Sequence, residues 1–160
     1  MVPMQRELKP GQLKILKAVA TLLENPSVKL TIAEVAKEVG VTDAAIYRHY
    51  RSKEQIFQAL VDYLELNFLS PLHEVSTDGG EVITQLKSLF EQYNTFFASH
   101  PGLARLFFGH GAHEGTGLGG RLQHLHAKVR SQVAEILMRA AEQQRLRSDM
   151  GADQATELFY

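Results

Sequence analysis

Gly40 constrains this chain more than any other residue. It stands inside TIAEVAKEVGVTDAAIYRHYRSKEQIFQAL, residues 31–60. A glycine placed directly after an apolar helical stripe takes up the left-handed backbone that ends a helix, with no Cβ penalty. Two residues on, Thr42 offers a hydroxyl as N-cap for a further helix from about Asp43 to His49. Upstream, Thr31 and Glu34 have capping-box spacing, and Ile32, Val35, Ala36 and Val39 line the inner face of the helix they open. Downstream, Ser52 to Gln55 repeats the capping-box pattern and opens a longer helix. That helix carries Ile56, Phe57, Leu60, Leu64 and Phe68 on one side and is expected to end before Pro71. Punctuated in this way, the stretch has room only for a helix, a tight turn and a second, very short helix. Val41, Ile46 and Tyr50 are the few residues of the second helix expected to look inward, so most of its surface is exposed.

Helical periodicity governs the rest of the chain as well, and no two-residue alternation of a strand appears. Leu16, Val19, Ala20 and Leu23 mark a first helix over Gln12 to Asn25, stopped at Pro26. Val82, Leu86, Leu89, Phe90, Tyr93, Phe96 and Phe97 give a broad apolar face to a fifth helix, ended by SHPG at 99–102. Leu103, Leu106 and Phe107 sit on a short sixth. Leu118, Leu122, Leu125, Val129, Val133 and Ile136 recur every three or four residues on a long seventh. GADQATELFY, 151–160, reads as the opening of an eighth helix capped by Asp153. The expected fold is all-α.

Charge is distributed unevenly. Up to Lys53 there are nine Lys and Arg against five acids, and beyond it eight against thirteen. A basic front on an acidic remainder points to an anionic partner for the front alone. With no cysteine, neither a disulfide nor a thiolate metal site can form. No apolar run approaches the roughly 18 residues of a membrane span, and MVPMQRELKPGQLK lacks the pattern of a secretory signal. These features describe a cytoplasmic protein with no membrane partner.

A short helix thrust out by a tight turn can enter the major groove of DNA. Ala44 and Ala45 allow the backbone close to base edges, and an alanine methyl can touch a thymine methyl. Tyr47, Arg48, His49 and Lys53 can reach phosphates on either side, and the free amides near Thr31 and Lys53 suit phosphate as well. Phosphate contacts fix register and base contacts carry specificity.

Other chemistry finds less support. GHGAHEGTGLGG, 109–120, holds six glycines, but no Gly-Lys-Ser or Gly-Lys-Thr ends it and no strand precedes it, so it is not a nucleotide loop. His110, His113 and Glu114, with His124 and His126 beyond, match no strong metal pattern, and solvated histidines are the expectation. Nothing resembles a catalytic triad or paired carboxylates. The chain is read as no enzyme, with no cofactor and no metal.

The thirty residues 31–60 resemble the helix-turn-helix signature of the TetR family of bacterial regulators. The matching run is a Thr-capped helix, VAKEVGV, a short helix ending in IYRHY, then SKEQI. The resemblance implies a homodimer that binds a palindromic operator in double-stranded DNA, most simply as a repressor. It also implies a DNA-binding domain at 9–53 and a helical regulatory and dimerisation domain at 54–160. Carried over by position, Thr31, Tyr47, His49 and Lys53 would contact phosphates. Thr42, Asp43, Ala44, Ala45 and Arg48 would face bases. Leu86, Phe90, Tyr93, Phe97 and Phe107 become candidates to line a pocket for a small apolar ligand, their other reading being plain core. Family members continue through two further helices that form the dimer, so the chain is expected to be truncated at its C-terminus. GVTDAAIYRHYRSKEQIF, HPGLARLFFGH and GRLQHLHAKVRSQVAEIL together resemble the nucleoid-occlusion branch of the family, through Pro101 to Leu103, Arg105, Gly109 and His110. That resemblance implies an alternative role, binding chromosomal sites and there restraining the cell-division polymer. The glycine-rich loop and an N-terminus without a basic run depart from that branch.

Overall fold

The computed structural model describes residues 8–77, 81–109, 117–142 and 157. Regular structure among them is helical throughout. The elements are α1 (Pro10–Leu23), α2 (Ile32–Val39), α3 (Asp43–Tyr47), α4 (Lys53–Leu64), α5 (Ser70–Thr77), α6 (Val82–Ser99), α7 (Pro101–Phe108) and α8 (Gly119–Glu142), with a π-helical stretch Glu65–Leu69 between α4 and α5. None of the described helices is long and apolar enough to cross a membrane. The expected eighth helix at 151–160 lies outside the described residues except Glu157, which is helical and pairs with Arg130.

Two compact units divide the chain, one within Met1–Leu60 and His100–Leu118, the other within Val61–Ser99 and Gly119–Tyr160. This differs from a boundary drawn after Lys53. The first turns of α4 and all of α7 belong with the helix-turn-helix, and the packing shows why. In the first unit α1 lies against both α2 and α7. Gly102 makes that approach so close that a Cβ there would sit 1.8 Å from the Ala20 carbonyl oxygen. The Arg105 guanidinium donates to the Leu23 carbonyl at 3.4 Å, satisfying one of the open acceptors at the end of α1.

Local chemistry moves several boundaries. α1 begins two residues before Gln12 because Pro10 occupies its first position, where a missing N–H costs nothing. It ends at Leu23 because Asn25 folds into its own turn, its side-chain oxygen accepting from the Ser27 amide at 2.9 Å. Its buried stripe is Ile15, Leu16, Ala18 and Val19, with Ala20 and Leu23 only partly covered.

The helix from Lys53 does not stop before Pro71. Proline lacks a donor and crowds the carbonyl four residues back. Here the ladder widens by one residue instead, as the Ser70 amide and hydroxyl both donate to the Glu65 carbonyl, the hydroxyl at 3.2 Å. Beyond this π turn the chain continues as α5.

The second unit packs α5 and the π stretch against α8, and α6 against both α5 and α8. Phe68 lies at its aromatic centre, with ring centroids 4.7 Å from Phe97, 5.2 Å from Phe96 and 5.5 Å from Tyr93. Leu122, Leu125, Val129, Val133 and Ile136 of α8 are buried, as their spacing predicts. Arg121 pairs with Asp62 at 2.6 Å, and Lys128 pairs with Glu65.

Candidate nucleic-acid interface

α2 opens with the Thr31 hydroxyl accepting from the Glu34 amide at 3.2 Å. The returning half of the expected capping box is not formed among the described residues. Gly40 ends the helix at φ 77° and ψ 39°, the left-handed conformation expected of it. Its amide and that of Val41 both donate to the Ala36 carbonyl at 2.9 Å, which closes the turn. Val41 itself is 41% exposed, so it is not one of the inward residues. The close turn directs its side chain away from the core.

α3 is shorter than expected and stops at Tyr47. Its N-cap is Thr42, whose hydroxyl accepts from the Ala45 amide at 3.3 Å. Past Tyr47 the backbone tightens, the His49 amide donating to Ile46 at 2.9 Å, and the helical ladder ends. Ile46 is fully buried and Tyr50 nearly so. These two side chains anchor the segment, and around them Thr42, Asp43, Ala44, Tyr47, Arg48 and His49 are exposed. Ala45 is half-covered.

Geometry at the start of α4 holds Lys53. Ser52 caps the helix by accepting from the Gln55 amide at 3.3 Å, while the Gln55 side chain accepts from the Arg51 amide at 2.8 Å. The reciprocal bond therefore reaches one residue further back than a Ser52–Gln55 box requires. The Lys53 ammonium lies 5.6 Å from the centroid of the buried Phe57 ring, a cation–π contact that restrains it. Beside it, Glu54 is held below the usual carboxylate range by its backbone hydrogen bond and the Ser52 hydroxyl. Thr31, at the start of α2, is exposed.

Two further features carried no signal in the sequence. The first is the place of His49, whose ring edge lies over Gly11 at the start of α1. The second is a pair of buried amides in the second unit, Gln85 at 4% and Gln132 at 7% exposure. The Gln85 oxygen accepts from Arg139 at 3.2 Å, whereas its amide nitrogen and the Gln132 oxygen have no hydrogen-bond partner among the described residues.

The five pocket candidates are divided between the two units. Phe107 is buried on α7 in the first unit, edge-to-face with Phe108 at 4.9 Å. The other four lie on α6 in the second unit, where Phe97 is buried and Leu86 and Tyr93 are half-buried. Burial pushes the Tyr93 hydroxyl up to about 12. Phe90, expected on the apolar inner face, is 56% exposed. The buried stripe of α6 runs through Val82, Gln85, Leu89 and Phe97, and Phe90 is about 100° round the helix from Leu89. Among the described residues no three His, Asp or Glu approach closely enough to hold a metal ion. His110, His113 and Glu114 lie outside the described residues.

The family described as bacterial regulatory proteins, tetR family, has a model that matches residues 15–60. The nucleoid occlusion factor SlmA of Shewanella baltica is 33% identical over 125 residues, covering 77% of this chain and 64% of that protein. SlmA of Photorhabdus laumondii is 30% identical over 141 residues, with 86% and 69% covered. The chain thus spans a little under two thirds of the first of these curated relatives. The fold is also that of the fatty acid degradation regulator FadR from Bacillus halodurans, with TM-score 0.76, 18% identity and 94% and 78% of the two chains covered. A FadR from Bacillus subtilis in complex with stearoyl-CoA gives TM-score 0.70 at 16% identity, covering 91% and 79%. The SmeT–triclosan complex gives 0.74 at 19%, covering 93% and 74%.

Proposed function

This chain belongs to the TetR family of bacterial regulatory proteins, and on that premise we propose that it is a sequence-specific DNA-binding regulator, most simply a repressor, acting as a homodimer. One observation carries the proposal. α3 is five residues long, capped by Thr42, anchored by Ile46, and otherwise exposed along Thr42, Asp43, Ala44, Tyr47 and Arg48. A helix so short and so little buried contributes little to a core, whereas its size suits the major groove. In a dimer two such helices would read half-sites of a palindromic operator about one helical turn apart, roughly 34–36 Å. Thr31, Tyr47, His49 and Lys53 would hold phosphates, and Thr42 to Ala45 with Arg48 would face bases. The proposal assigns no reaction to the chain and places it on the nucleoid.

Control by a small apolar ligand is supported by the SmeT complex with triclosan, and the FadR complex with stearoyl-CoA supports a ligand with an apolar chain. Such a ligand acts only by binding one arrangement of the dimer better than another. A second reading, nucleoid occlusion, is favoured by the SlmA relatives at 30–33% identity, and on that reading a cell-division protein would be the partner.

Mapping the bound sites of the protein on its own chromosome separates the two. One or a few promoter sites support the repressor, and many scattered sites away from promoters support occlusion. At the residue level, Lys53→Ala should weaken binding to every sequence and lower the salt slope by about one phosphate contact. Ala44→Leu should cost more on the specific site than on random DNA. Equal losses on both kinds of DNA for both variants would overturn the division into phosphate and base contacts.

A further inference from the structure

We propose that Gly11 is a positioning residue for the DNA contact of His49, kept free of a side chain so that the imidazole can lie across the first turn of α1. The inference rests on the reading of His49 as a phosphate contact.

Gly11 is the second residue of α1, directly after Pro10. Glycine is the poorest helix former after proline, and a need for it here would be either conformational or steric. Backbone conformation is not that need, because Gly11 is not among the glycines with positive φ, which are Gly40 and Gly117. The need is space. A Cβ on Gly11 would lie 2.7 Å from both Cε1 and Nε2 of His49 and 3.6 Å from Cδ2. The three nearest atoms all belong to this one ring.

The ring, rather than the fold, would yield to an added methyl. The backbone at position 49 is fixed on both sides, by Ile46 at 0% and Tyr50 at 5% exposure, and by the His49 amide donating to Ile46 at 2.9 Å. The imidazole itself is exposed at the end of a rotatable side chain. A methyl at position 11 therefore turns the ring away from α1 while leaving the core untouched. Gly11 holds no phosphate itself. It determines where the imidazole stands.

The test uses the full chain and four proteins: wild type, Gly11→Ala, His49→Ala and the double variant. Binding is titrated by fluorescence anisotropy against a site taken from chromosome mapping and against a random duplex of equal length. Gly11→Ala and His49→Ala should each weaken binding to both duplexes by about tenfold, the worth of one hydrogen bond to a charged group. The double variant should bind no worse than His49→Ala, since the methyl acts only through the ring. The His49 Hε1 resonance of free Gly11→Ala should shift, and its melting temperature should not fall. Binding by Gly11→Ala equal to wild type, a multiplied loss in the double variant, or a lowered melting temperature overturns the inference. If His49→Ala binds as wild type while Lys53→Ala is weakened, the inference fails and the DNA-binding reading stands. If wild type binds neither duplex, both fail.

Discussion

The two compact units solve the packing of helices in opposite ways. In the first, a small residue brings backbones together, with Gly102 lying on the Ala20 carbonyl, and Ala18 and Ala36 are buried. In the second, large rings fill the space around Phe68, ion pairs join Asp62 and Glu65 to Arg121 and Lys128, and two glutamine side chains are taken into the interior. Close backbone approach fixes position sharply, because a backbone atom cannot move aside. Aromatic packing with buried amides tolerates more rearrangement, because rings and amides can turn. If the first unit presents α3 to DNA as proposed, it would gain from the first arrangement, and if the second unit binds a ligand as proposed, it would gain from the second.

Substitutions can break this contrast. The largest expected effect is at Phe68, buried to 3% among three rings. Phe68→Ala should lower the unfolding free energy by about 3–5 kcal/mol in urea denaturation. Phe90→Ala, on an exposed ring, should change it by no more than about 0.5 kcal/mol. Comparable losses at the two positions would mean that Phe90 is covered in the protein as it exists in solution. In the first unit Gly102→Ala should cost about 2–3 kcal/mol, since the added methyl meets backbone rather than a side chain. A stability within error of wild type would show that α1 and α7 can separate freely, and the sharp positioning argued for that unit would be lost.

Much of this was legible in the sequence, for identifiable reasons. Gly40, Thr31, Thr42 and Ser52 act through their own neighbours, so their backbone roles follow from local spacing. The stripe of α8 was equally legible, because five apolar residues at helical spacing leave little choice of buried face. α6 was harder. Apolar residues surround it so broadly that hydrophobicity alone does not select an inner side, and Gln85 takes a buried place while Phe90 faces out. Pro71 does not end the helix because the ladder widens at Glu65–Leu69, where the Ser70 amide and hydroxyl both donate to the Glu65 carbonyl, and spacing around the proline alone does not reveal that. The assignment of α7 to the first unit depends on Gly102 meeting Ala20, which are 82 residues apart in the chain and share no local pattern.

The smallest effect bears on what the buried amides are for. Gln132 is 7% exposed, and its side-chain oxygen has no partner among the described residues. A buried acceptor left unsatisfied costs stability, and replacing it by an apolar group of similar size removes that cost. If Gln132 serves only to fill space between α8 and its neighbours, Gln132→Leu should raise the unfolding free energy by about 1 kcal/mol. The same variant should then keep its DNA affinity, because nothing at the α3 surface changes. A fall in stability would mean that the oxygen is satisfied in solution, by water or by another group, and that the second unit is more firmly specified than its rings and ion pairs suggest. A gain in stability with altered DNA affinity would instead identify Gln132 as a strained position through which the second unit influences the first.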